Sequence, residues 1–155
     1  MLASKIKMNS SVKVFTDLQI LEKAAPMPIG SFTATSSVEV SQFLIDQIGR
    51  SAQEHGYVFF LNVHNEMIGY AEVGKGNDEE CNISMKAIMQ HALLCGAHRL
   101  LFAHNHPSDN VKPSEQDIAF SRRLKEAAEL LDMQLIDSMI IGRSDYLSMA
   151  EAGVL

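Results

Sequence analysis

The stretch Ala103–Asp117 constrains this chain more than any other. An apolar run, Leu100-Leu101-Phe102, leads into His104-x-His106-Pro107. A short polar loop follows, then Pro113, Ser114 and Asp117, with a helical pattern opening at Glu115. In a strand over Arg99–Ala103 side chains alternate faces, so His104 and His106 leave its end on the same side. Asp117 then falls in the first turn of the next helix, facing back across the loop. Two imidazoles and a carboxylate, with a fourth position open to water, is how catalytic zinc centres are built; structural centres close all four positions. A blander reading stays open beside it. Ser114-x-x-Asp117 also fits a capping box, in which a hydroxyl and an acid serve the unpaired amides of a helix start. A lone H-x-H is a weak signal too, because a surface loop can carry it. The whole string is what folding needs alone do not explain.

H-x-H-P, a gap and P-S-x-x-D resemble the JAMM motif of the JAB/MPN metalloprotease fold. The HNHPS wording, with PSEQD after it, is similar to the RadC-like branch of that family, and the likeness extends from about Ser36 to Leu155. The resemblance implies that His104, His106 and Asp117 bind Zn²⁺, that Ser114 supports an oxyanion, and that an upstream glutamate is the general base. Glu54, which precedes Tyr57–Asn62 at the matching spacing, takes that last role. On position alone Glu54 is an ordinary exposed loop acid. Two positions depart from the usual pattern: Asp109 stands where RadC-like chains carry Gly, and Asp137-Ser138 where they carry Asp-His. Neither change removes a motif ligand. A helical, DNA-binding-like region often precedes this domain in RadC-like proteins; residues 1–35 are expected to be too few for one.

The chain has 155 residues, 46% of them apolar and 21% charged, which suits one domain with a sizeable core. Its formal net charge of -6 argues against non-specific binding to nucleic acid, since duplex affinity rests on Lys and Arg neutralising phosphates. The basic trio Arg122, Arg123 and Lys125 reads as a solvated helix face. Cys81 and Cys95 form no C-x-x-C pair, so reduced thiols in a cytoplasmic protein are expected. No signal peptide is seen, and no stretch approaches the ~18 uninterrupted apolar residues of a membrane span. Look-alikes drop out on the same grounds. A zinc deaminase wants H-x-E with a Cys pair, barrel amidohydrolases need ~250 residues, and the named residues of HNH nucleases are dispersed rather than consecutive.

Periodicity supplies the elements. Helices are expected from Ser36 to about Gly49, from Ser84 to Gly96, and from Glu115 to Leu131. Strands are expected at Tyr57–Val63, Met67–Val73, Arg99–Ala103 and Gln134–Ile141, with a last short one near Leu147–Met149 and another at Val12–Phe15. Residues 1–35 read as a partly flexible extension and 36–155 as the domain. The expected class is α/β, a mixed sheet sandwiched by helices, in the JAB/MPN layout that resembles cytidine deaminases. His64 and His91 read as surface residues, and His98 could be either. Asp137 inside a strand needs a partner: it either accepts from a nearby metal-bound His or faces solvent at an edge. The expected function is zinc-dependent hydrolysis of peptide or isopeptide bonds in a peptide or small protein. The alternative is a non-catalytic RadC-like module associated with DNA repair or mobile elements.

Overall fold

The computed structural model describes residues 32–75 and 84–155. The strand expected at Val12–Phe15 lies outside the described residues, as does Cys81. Helix α1 spans Ser37–Leu44 and starts where the Ser36 hydroxyl accepts from the Glu39 N–H at 3.2 Å. It widens into a π-helical turn, Ile45–Gly49. Then come β1 (His55–Leu61), β2 (Met67–Lys75), α2 (Met85–Leu94), β3 (Arg99–Asn105), α3 (Glu115–Glu129), β4 (Gln134–Ile141) and β5 (Tyr146–Ser148).

The five strands form one sheet in the order β2-β1-β3-β4-β5. β3 and β4 run parallel, joined by α3 as a crossover, and the other neighbours are antiparallel. Both faces are covered, which is why β1 and β3 read as nearly unbroken apolar runs. On one face α1 and the π-turn bury Val40, Leu44 and Ile48 against Phe59, Leu61, Leu101 and Met139. On the other, α2 and α3 bury Ile88, Ala92, Leu124 and Ala128 against Val58, Phe60, Leu100 and Phe102. Phe32 packs on Phe43 and Phe59, and Thr33 forms an isolated antiparallel bridge with Glu66. Among the described residues no helix is long and apolar enough to cross a membrane.

The observed class is the expected one, with differences at the ends of elements. β3 continues two residues past Ala103, so His104 belongs to the strand itself, and β1 starts two residues before Tyr57. Asp137 fits neither expectation. A register shift at Leu100/Leu101 lets it line the α1 face beside Leu101 and Met139, across the sheet from His104. It is buried there and accepts from the Ser148 hydroxyl at 2.5 Å, the Ser138 N–H at 2.7 Å and the Ala150 N–H at 3.1 Å. Those three donors, none of them a histidine, are the partners that a buried carboxylate requires.

Candidate metal centre

The site lies where β3 hands over to the loop before α3, beside the start of β1. Strand alternation puts His104 on the α2/α3 face with Leu100 and Phe102, and its ring stacks on Phe102 with centroids 5.4 Å apart. His106 is tied twice: its N–H donates to the Ile141 carbonyl at 2.9 Å, and its Nδ1 lies 2.6 Å from the Asn110 carbonyl. A carbonyl only accepts, so Nδ1 carries a proton, and it is Nε2 that offers a lone pair inward when the ring is neutral. The Nε2 atoms of the two histidines are 3.0 Å apart. Asp117, in the first turn of α3, brings Oδ1 to 3.2 Å from His104 Nε2 and Oδ2 to 3.5 Å from His106 Nε2.

The two imidazole nitrogens and the two carboxylate oxygens of Asp117 thus face one another, with separations of 3.0, 3.2 and 3.5 Å. Tetrahedral ligands at zinc–nitrogen distances near 2.05 Å are spaced about 3.3 Å apart, and these separations lie near that value. A cation or shared protons must offset the mutual repulsion of these atoms. Burial would raise the Asp117 carboxyl, but hydrogen bonds to His104 and His106 outweigh it and hold the group well below the usual carboxylate range. His106 is raised by its contact with Asp117 against the opposing effect of burial, with the Asn110 carbonyl helping. Among the described residues, His104 Nδ1 is buried without a hydrogen-bond partner, so Nε2 is the nitrogen of that ring in polar company.

Glu54 sits in the segment entering β1. Alternation puts positions 54, 56, 58 and 60 on one face, the side where Val58 and Phe60 meet α2 and α3. Glu54, His104 and His106 each offer a donor atom within 4.8 Å of the others. Four of the five site residues singled out from the sequence therefore converge: Glu54, His104, His106 and Asp117. Ser114, the fifth, is the N-cap of α3. Its hydroxyl accepts from the Asp117 N–H at 3.1 Å while Asp117 Oδ2 accepts from the Ser114 N–H at 2.8 Å. The capping box is therefore present, and its acid is the same Asp117 that faces the histidines.

Both departures from the usual pattern have local explanations. Asp109 has φ +64°, a conformation that glycine adopts freely and aspartate tolerates. Its side chain accepts from the Arg143 N–H at 2.6 Å, which anchors the His106–Asp109 turn to the β4–β5 connection. Ser138 is fully buried next to Phe102 in register, and its hydroxyl lies 2.6 Å from that of Ser121 on α3. The sequence reading passed over Asn105, which is fully buried between the two histidines. A polar residue at a strand end carries no spacing signal, and its partners lie some fifty positions away.

A family model described as a RadC-like JAB domain matches residues 34–154. The UPF0758 protein of Enterococcus faecalis is 38% identical over 117 residues, covering 76% of this chain and 50% of that relative. The UPF0758 proteins of Cellvibrio japonicus and Carboxydothermus hydrogenoformans are 34% and 37% identical, over 84% and 72% of this chain and 58% and 49% of their own lengths. The chain thus spans about half the length of the curated relatives it matches. With a mixed five-stranded sheet and a match over most of its length, the chain belongs to the RadC family, as a RadC-like JAB domain.

Proposed function

We propose that this domain is a zinc-dependent hydrolase of the JAMM type that cleaves peptide or isopeptide bonds in a peptide or small protein substrate. The convergence of His104, His106 and Asp117 at ligand spacing is the observation that carries this reading. These three would hold the ion; Asp117 is preferred over Glu54 as the third ligand because it approaches both imidazoles within 3.5 Å. Bound there, Zn²⁺ would supply Lewis acidity and make water a competent nucleophile near pH 7. Glu54 accepts the proton of the attacking water and passes it to the leaving amine. Ser114 spends a lone pair on the Asp117 N–H and keeps its own O–H free to donate to the carbonyl oxygen as charge builds. We place the protein in the cytoplasm: Cys95 is a free, half-buried thiol pushed up by burial, which keeps it protonated and unreactive.

Metal analysis of the purified chain tests the core of this. The wild type is expected to carry stoichiometric zinc and His104→Ala to lose it; full retention by that variant would defeat the assignment. Glu54→Gln should keep the zinc and lose roughly 10²–10⁴ in hydrolysis of isopeptide- and peptide-linked fluorogenic conjugates, the usual contribution of a positioned general base. A low-salt gel shift on duplex and single-stranded DNA tests the competing DNA-associated role. Tight binding by a chain of net charge -6 would favour that role.

A further inference from the structure

Asn105 follows His104 in β3, and alternation turns its side chain to the opposite face, with Leu101 and Ala103. It is fully buried. Its amide reaches the segment that enters β1. Oδ1 accepts from the His55 N–H at 2.7 Å and Nδ2 donates to the Gln53 carbonyl at 2.9 Å. A second, longer contact from Nδ2 meets the Ser51 carbonyl at 3.5 Å. Because one partner only donates and the other only accepts, the orientation of the amide is fixed by its surroundings.

The Gln53 carbonyl belongs to the peptide plane before Glu54, and the His55 N–H to the plane after it. Peptide planes are rigid, so a side chain that grips both sets φ and ψ of the residue between them. The direction of the Glu54 Cα–Cβ bond is thereby fixed relative to β3, the strand that carries His104 and His106. We propose that Asn105 is a positioning residue, which sets the Glu54 carboxylate against the His104–His106 pair by holding the backbone on both sides of it. This rests on the reading of Glu54 as general base at a metal centre. Few other side chains meet the requirement. Asp would face the Gln53 carbonyl with a second acceptor, Ser is too short to span both planes, and Gln adds a methylene to a close-packed site.

The experiment uses the full chain loaded with Co²⁺, whose visible absorption reports the site directly. The pH midpoint of that spectrum is compared among wild type, Glu54→Gln, Asn105→Ser, the near-isosteric Asn105→Asp, and the double variant Asn105→Ser/Glu54→Gln. Both Asn105 variants are expected to bind stoichiometric cobalt, because His104, His106 and Asp117 remain. Their midpoint should move in the same direction as in Glu54→Gln, by roughly half a pH unit or more. The double variant should move no further than Glu54→Gln alone, the signature of one residue acting through the other. If Glu54→Gln moves the midpoint and the Asn105 variants keep the wild-type value, the positioning role falls and the base survives. If Glu54→Gln leaves the midpoint untouched, the reading of Glu54 falls and takes the proposal with it. Amide exchange in the wild type needs no variant: the His55 N–H should exchange at least ~10²-fold more slowly than an unbonded amide, and exchange at the unprotected rate overturns the proposal.

Discussion

Ser114 carries two jobs that substitution can separate. As the N-cap of α3 it accepts from the Asp117 N–H, and as the proposed oxyanion donor it uses its own proton. Replacing an N-cap Ser with Ala removes about 1 kcal/mol, whereas Gly at the same position costs only a few tenths. Ser114→Gly should therefore melt close to the wild type and keep its metal, while turnover falls by roughly 10²–10³, the usual loss of one oxyanion donor. Undiminished turnover in that variant would leave the cap as the residue's whole role. Asp109 shows how a departure from a family pattern is absorbed. Its φ of +64° is one that glycine adopts freely, and its bond to the Arg143 N–H offsets the strain of a side chain in that conformation. The substitution therefore acts on the turn after His106 and not on a ligand.

At the level of elements, Asp137 is the test of how β4 is held. Burial pushes its carboxyl up, against the lowering effect of the Ser148 hydroxyl and the Ala150 and Ser138 amides. For an acid whose native pKa is raised, the unfolded chain ionises first, near pH 3.9. The stability it contributes is fully present below that pH and is lost as pH rises through the native value. Asp137→Asn removes the titration but weakens the acceptor set, at about 1 kcal/mol for a hydrogen bond. In urea titrations the variant should trail the wild type most near pH 4, and the gap should narrow towards neutrality. A gap independent of pH would mean that burial does not perturb this group. Most elements were legible in the sequence because their signals are local: Ser36, Ser84 and Ser114 cap helices where spacing put them, and β4 has the bounds expected. The π-turn at Ile45–Gly49 was not, since no spacing in the local sequence distinguishes it from the α-helix it extends. A Cβ on Gly49 would lie 2.4 Å from the Gly142 carbonyl, a close approach between residues nearly a hundred positions apart. The partners of Asp137 were hidden for the same reason, because alternation foretells a face only until a register shift moves it.

Taken whole, the molecule brings its chemistry together through the sheet. Glu54 and His104 are fifty residues apart in the chain, and the antiparallel pairing of β1 with β3 makes them neighbours. Only family spacing could anticipate that, whereas His104, His106 and Asp117 were readable from one stretch. The same layout makes metal binding a property of the folded state. β3 and α3 must be in place before the three donors meet, so an ion that binds them favours the native chain by mass action. At a free zinc concentration about 100-fold above Kd the gain is about 2.7 kcal/mol, and a domain of this size converts each kcal/mol into roughly 2–4 °C. Zinc should therefore raise the melting temperature by about 5–10 °C, and excess chelator should reverse the rise. Mg²⁺ should give no comparable shift, because it favours oxygen ligands and keeps its waters. His104→Ala should melt at one temperature with or without zinc. Glu54→Gln should retain the shift and Asp117→Asn should lose most of it, since the carboxylate nearer both imidazoles is the ligand and the other the base. The opposite pattern, with the shift lost in Glu54→Gln and kept in Asp117→Asn, would make Glu54 the ligand and leave Asp117 its capping-box bond to the Ser114 N–H.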